Sequence, residues 1–402
     1  MKIQINKGKA KGTLTAPPSK SMAHRLLIAA AMAEGESIVR SVSSCEDVLA
    51  TIDCLRALGV ECIENGGDVI VKGKHPSKMT PVSPLKARES GSTLRFMIPI
   101  ALSTDKAAVF YGEKGLMQRP MTVYEELAKK KGLTYINDGN SIIVKGKLPG
   151  GEYVLPGNVS SQFISGLLFA LPAANEDSYI KILPPIESRS YIGLTINAIK
   201  SFGIKAEWID DNTIYIPKNQ RYIPSDVTVE GDYSGAAFPD SLNLFGGEVK
   251  LLGLNENSLQ GDSVYKKYYG MLTRGVPTIH IGDCPDLGPI MFAIAAAKNG
   301  GIFTGTKRLK IKESDRASAM AEELKKFGAS VSVYEDTVVI YPADFHKPSE
   351  LLSGHNDHRI VMSLSVLLTL TGGEIEGAEA VSKSYPAFFS DLSSLGIEVK
   401  EI

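Results

Sequence analysis

Residues 47–74, DVLATIDCLRALGVECIENGGDVIVKGK, predict an amphipathic helix stopped by Gly59, a short strand, an Asn-Gly-Gly turn and a β-branched strand. The same order recurs at 123–147 (VYEELAKKKGLTYINDGNSIIVKGK), 196–217 and 319–342, and more weakly at 269–281 and 391–402. The helix-ending glycines, Gly59, Gly132, Gly203, Gly275, Gly328 and Gly396, are separated by 73, 71, 72, 53 and 68 residues. Such regularity marks an internal repeat. Its period is too long for the common solenoids, and its Gly-ended helices with hairpin strands suit compact α/β lobes, so six units make two lobes of three. The short interval before Gly328 has no explanation at this level.

A chain of 402 residues with 43% hydrophobic content is ample for two domains. Its 44 Lys and Arg nearly cancel its 45 Asp and Glu, which excludes a general nucleic-acid or membrane surface and makes any strong positive field local. Cys45, Cys54, Cys62 and Cys284 form neither a metal-binding spacing nor a disulfide framework, and read as reduced thiols of a cytoplasmic protein. No metal site is expected. The basic N-terminus lacks the apolar run of a signal peptide, and the longest apolar stretches, 26–33 and 360–370, are too short to span a bilayer.

Each unit also begins with a more apolar helix, started by SKSMAHR (19–25), ESGSTLR (89–95), NVSSQF (158–163), YSGAAF (233–238), PDLGPI (285–290) and HNDHR (355–359). Ser, Asn and Asp are ordinary caps there. Cations are not: Lys20, Arg25, Arg95, His358 and Arg359 lie in or near first turns, where the helix dipole repels them unless an anion intervenes. RLKIKESDR (308–316) puts Lys312, Glu313, Asp315 and Arg316 at another helix head. Phosphate or carboxylate ligands gripped by several helix starts resolve the conflict. Taken singly, Asp286 reads as a helix cap, Glu313 as a first-turn acid complementing the dipole, and Gly91 equally as a left-handed turn residue or as a close approach to an anion.

The motifs PPSKSMAHR (17–25), GNVSSQFISGLLFALP (157–172), EGDYSGAAF (230–238), NSLQGD (257–262), PDLGPI, KESDR, NDHRIVM (356–362) and KSYPAFF (383–389), in this order, resemble the 5-enolpyruvylshikimate-3-phosphate synthase family of enolpyruvyl transferases. The resemblance covers Pro17 to Phe389. It implies an α/β fold of two lobes, each of three βαβαββ units, with residues 18–229 continuous, 1–17 plus 230–402 discontinuous, and the active site in the cleft between them. The implied reaction, the sixth step of the shikimate pathway leading to chorismate and aromatic amino acids, joins phosphoenolpyruvate to the 5-hydroxyl of shikimate 3-phosphate and releases phosphate, without cofactor, in a cytoplasmic monomer. Carried over by motif, Lys20, Ser21, Arg25, Ser160, Ser161, Gln162, Ser188, Tyr191, Asp286 and Lys312 hold shikimate 3-phosphate. Lys20, Gly91, Arg119, Gln162, Arg316, Arg359 and Lys383 surround phosphoenolpyruvate. Asp286, Glu313 and Lys20 are the catalytic groups.

Better-known members carry Asn at Glu89, Thr at Ser92 and Asn at Arg308. Glyphosate occupies the phosphoenolpyruvate pocket in the family, and many insensitive members have Ala at the position of Gly91, so Gly91 implies sensitivity. The sister enzymes acting on UDP-N-acetylglucosamine typically have Lys-Asn at the first helix and a reactive loop Cys; here the helix begins SKS and the loop YGEKGLMQRPMT (111–122) has no Cys. A non-catalytic phosphate-sugar binding relative is the alternative from another class, disfavoured by the presence of Lys20, Asp286 and Glu313. RNA-processing relatives with a related repeat are disfavoured by a net charge of −1.

Overall fold

The computed structural model describes residues 1–402 as two compact units, Met1–Pro17 with Gly231–Ile402, and Pro18–Glu230. The repeat is a βαβαββ module. In the clearest copy, Leu85–Lys86 runs parallel to Ala108–Tyr111 across the buried helix Gly91–Leu102; the helix Thr122–Lys131 follows, and the hairpin of Thr134–Asn137 and Ser141–Lys145 adds antiparallel strands. Three copies include strands distant in sequence, one of them pairing Lys11–Thr15 with Glu248–Leu252. Val227–Thr228 pairs with Gly35–Arg40, and the N-terminal Lys2–Ile5 completes the sheet of Leu352–Ser353, Gly373–Glu376 and Val399–Glu401.

Five sheets have four strands and the sixth has two, Lys11–Thr15 and Glu248–Leu252. This explains the short interval before Gly328. After the helix Tyr265–Arg274 the chain passes directly into Thr278–His280, the first strand of the next sheet, so the fourth module lacks its closing hairpin. The backbone agrees: Gly59, Gly132, Gly203, Gly328 and Gly396 are left-handed, with φ of 79°, 66°, 78°, 90° and 86°, where the chain reverses sharply off a helix. Gly275, at φ 169°, is simply extended.

Each unit has its own apolar core. In Pro18–Glu230 the helices Lys20–Met32, Gly91–Leu102 and Ser161–Ala170 are buried on almost every side; every residue from Met22 to Met32 is buried. Helices without a polar face belong in an interior. Phe96 meets Phe169 edge-on at 5.6 Å between ring centres, and burial of each ring contributes about 1.5–3 kcal/mol. The strands alternate: in Ser178–Leu183, residues 178, 180 and 182 are buried and 179, 181 and 183 face outward. Because apolar side chains fill the flanks of these helices, their polar chemistry concentrates at the N-termini. No helix is long and apolar enough to cross a membrane.

Candidate active site

The helix starts of Pro18–Glu230 are capped as their sequences predict. Ser19 accepts from Met22 N, Ser90 from Thr93 N and Ser160 from Gln162 N. Lys20, the first helical residue, is answered from within the chain: its Nζ lies 2.8 Å from Asp47 Oδ2, both side chains being nearly buried. A carboxylate of the chain itself therefore offsets this first-turn cation. Asp47 is in the first turn of Glu46–Ala57, where its charge is favoured.

Arg25 is different. One turn further on, its guanidinium donates to Ser21 O (2.6 Å), Thr195 Oγ1 (2.8 Å) and Tyr191 O (3.2 Å), and lies over the rings of Phe96 (5.2 Å) and Tyr191 (5.9 Å). Neutral acceptors alone hold it, and burial pushes it down to about 10, so it remains cationic at neutral pH. Ser188, left-handed at φ 56° and buried, precedes the helix Arg189–Lys200 that supplies Tyr191 and Thr195.

A second focus surrounds Gly91. Gln162 Oε1 accepts from Arg95 Nη1 at 2.7 Å, and its Nε2 donates to Ser92 Oγ at 2.8 Å. A methyl group on Gly91 would sit 3.0 Å from Arg119 Nη1 and 3.1 Å from Arg95 Nη1. Gly91 is the first residue of a helix and has no positive φ, which removes the turn explanation: it leaves room beside two guanidiniums. Beneath the cluster, His24 Nδ1, Thr51, Thr93 and Ser90 join side chain to side chain at 2.7 Å per step, tying the starts of Lys20–Met32 and Gly91–Leu102 together.

The other unit gathers carboxylates around cations. Arg316, fully buried, reaches Asp286 (2.8 Å), Glu313 (2.7 Å) and Asp357 (2.8 and 3.3 Å). Asp286 also lies 3.3 Å from Lys312 Nζ and 3.5 Å from Arg359 Nη2. Three cations thus surround one carboxylate, which is not the helix cap expected of it: Asp286 sits in the 3₁₀ turn Pro285–Leu287, and the Gly288–Ala297 helix has no side-chain cap. Glu313 is likewise not in a first turn; the helix starts at Arg316, with Asp315 as its cap. Asp357 caps His358–Thr371 through Arg359 N (2.9 Å) while holding Arg316.

Arg359 Nε and Nη1 are buried without a partner. Such donors are costly to leave unmade, and an oxyanion would satisfy them. Lys383 Nζ reaches Asn356 O (2.7 Å) and Oδ1 (2.8 Å), next to Asp357. Arg308, buried, donates to Gly282 O at 3.3 Å. Asp262, buried and hydrogen-bonded by Ser234, is pushed up to about 6 by its burial and then by the charge of Asp286. Asp47, Asp262 and Asp357 were not picked out as site residues in the sequence. The signal available was their position within DVLA, QGD and NDHR, each beside a helix start.

All four cysteines are buried and unpaired, and burial raises each thiol, Cys62 to about 12. None offers a thiolate nucleophile at neutral pH.

The profile of the EPSP synthase (3-phosphoshikimate 1-carboxyvinyltransferase) family matches residues 5–392. A 3-phosphoshikimate 1-carboxyvinyltransferase of Clostridium acetobutylicum is 40% identical, with 99% of this chain and 98% of that protein aligned; one of Clostridium perfringens is 37% identical over 98% of each. The solved EPSP synthase of Acinetobacter baumannii shares the fold over the full length of both chains, with a TM-score of 0.79 at 24% identity. With this coverage and identity, the chain belongs to the EPSP synthase family.

Proposed function

We propose that this chain transfers the enolpyruvyl group of phosphoenolpyruvate to the 5-hydroxyl of shikimate 3-phosphate and releases phosphate. The observation that carries the chemistry is the cage around Arg316, which places two carboxylates, Asp286 and Glu313, on one buried guanidinium beside Arg359 and Lys312. In the addition step Asp286 takes the proton of the 5-hydroxyl as its oxygen bonds to C2 of phosphoenolpyruvate, and Glu313, as a carboxylic acid, gives a proton to C3. In elimination Glu313, now a carboxylate, takes a proton from C3, the electron pair of that C–H bond forms the C2–C3 double bond, the bond from C2 to the phosphate oxygen breaks, and phosphate departs with the proton returned by Asp286. Phosphoenolpyruvate brings anionic oxygens of its own to Arg316 and Arg359, so its arrival loosens their hold on Asp286 and Glu313 and frees those groups for proton transfer.

Shikimate 3-phosphate belongs on the starts of Pro18–Glu230: Lys20, Ser21, Arg25, Ser160, Ser161, Gln162, Ser188 and Tyr191, with Asp286 and Lys312 from the other unit. Arg25, held only by neutral acceptors, supplies uncompensated positive charge, and hydroxyls with helix-start N–H groups suit phosphate oxygens. Phosphoenolpyruvate takes Lys20, Gly91, Arg119, Gln162, Arg316, Arg359 and Lys383. Turnover therefore needs residues of both units. The buried, high-pKa cysteines disfavour the sister activity that uses a thiolate, and four free thiols suit the reducing cytoplasm.

The test is phosphate release from phosphoenolpyruvate with either shikimate 3-phosphate or UDP-N-acetylglucosamine as acceptor. Turnover with the first alone is expected; turnover with the second alone would overturn the assignment. Glyphosate should inhibit, competing at Gly91. In the Gly91→Ala variant the added methyl displaces Arg119 or Arg95, and overpacking of this kind costs about 1–3 kcal/mol, so glyphosate inhibition should weaken about 10-fold or more. The Michaelis constant for the shorter phosphoenolpyruvate should rise less. Equal inhibition of wild type and variant would refute the steric argument.

A further inference from the structure

Glu323 lies on the helix Arg316–Lys326, seven residues and about two turns beyond Arg316, hence on the same face. Its side chain is fully buried, and its two oxygens accept four bonds: Lys326 Nζ at 2.9 and 3.0 Å, His355 Nε2 at 2.9 Å and Ser353 N at 3.0 Å. Glu322, Glu323 and His355 bring ligand atoms within 4.8 Å of one another, but the Lys326 ammonium on both Glu323 oxygens already provides the cation there.

The turn that Glu323 grips is strained. His355 and Asn356 are both left-handed, with φ of 48° and 51°, a conformation unfavourable for residues bearing a Cβ and held only when the surroundings impose it. The surroundings do so at both ends. Glu323 holds Ser353 and His355, and Arg316, on the same helix, holds Asp357; between them Asn356 accepts twice from Lys383. The turn leads directly into the helix that carries Arg359.

We propose that Glu323 and His355 are positioning residues for phosphoenolpyruvate. They fix the strained turn so that Asp357, Arg359 and Lys383 are presented together, while making no contact with substrate themselves. The inference rests on the proposed assignment of Arg316, Arg359 and Lys383 to phosphoenolpyruvate. It gives a selective consequence, because residues 353–359 and Lys383 are absent from the shikimate 3-phosphate set.

Steady-state kinetics on the full chain, with each substrate varied, tests this in His355→Ala, His355→Gln and Glu323→Gln. Loss of a hydrogen bond to a charged group corresponds to about 10- to 100-fold. His355→Ala should raise the Michaelis constant for phosphoenolpyruvate by that order, leave that for shikimate 3-phosphate within about twofold, and be largely rescued in His355→Gln, which keeps an N–H donor. An unchanged phosphoenolpyruvate constant, an equal rise for both substrates, or a fall in kcat that only follows the loss of folded protein would overturn the proposal. Should His355→Ala fail to fold, Glu323→Gln must show the selective rise, and its absence is equally fatal. Wild-type protein that does not turn over the two substrates would overturn the functional reading beneath; wild-type turnover with unchanged variants overturns this inference alone.

Discussion

Replacing Arg316 with Met is expected to destabilise the protein by about 3–5 kcal/mol, the cost typical of removing one partner from a buried ionic cluster. Three carboxylates lose a common partner at once. Asp357 is the most exposed to the loss energetically, since its side chain has no access to water and two of its bonds end on Arg316. Urea unfolding of wild type and variant measures the difference, and a loss below about 1 kcal/mol would mean that the guanidinium is not the hub described. The double variant Arg316→Met, Asp357→Asn should recover part of the deficit, because neutralising the most buried carboxylate removes the worst of the uncompensated charge. Strict additivity of the two changes would contradict direct coupling. Met approximates the aliphatic stem of Arg, so this variant separates the loss of charge from the opening of a cavity.

Asp286→Ala and Glu313→Gln should each lower kcat by about 10²- to 10⁴-fold, the range for a general acid or base. Both residues touch Arg316, so stability must be measured alongside rate. Glu313→Gln is the cleaner probe: the amide keeps the shape of the carboxylate and an acceptor oxygen for Arg316 Nη2 but cannot carry the proton. Affinity for shikimate 3-phosphate, measured by calorimetry, should be nearly unchanged in Glu313→Gln, which lies outside the residues assigned to that ligand. Near-normal turnover in either variant would remove that residue from its role. A fall in affinity as large as the fall in rate would make it a binding residue.

The repeat was legible in the sequence because its signals are local. A left-handed residue where a helix turns back into a strand favours glycine, so Gly59, Gly132, Gly203, Gly328 and Gly396 announce five modules without any knowledge of packing. Gly275 shows the limit: the same residue type ends a helix there in an extended conformation, and only strand pairing reveals that the chain runs straight into the first strand of the next sheet. The caps Ser19, Ser90, Ser160 and Asp357 were equally readable, each acting within three residues of itself. Cations crowded at helix starts also stood out, since the dipole conflict they pose is local.

What resolves that conflict was not local. Asp47 answers Lys20 from 27 residues away, and Asp286 and Asp357 reach Arg316 from 30 and 41 residues away to join Glu313 of its own segment. Likewise Glu323 and His355, 32 residues apart, carry no mark of partnership in their own neighbourhoods. Sequence by itself determined the periodicity, the capped helix starts and the types of charge available, because backbone propensity acts over a few residues. Only the tertiary structure decided which charges neutralise one another and which buried donors, like Nε and Nη1 of Arg359, have no hydrogen-bond partner within the chain, because electrostatic pairing depends on distance in space and on exclusion of water.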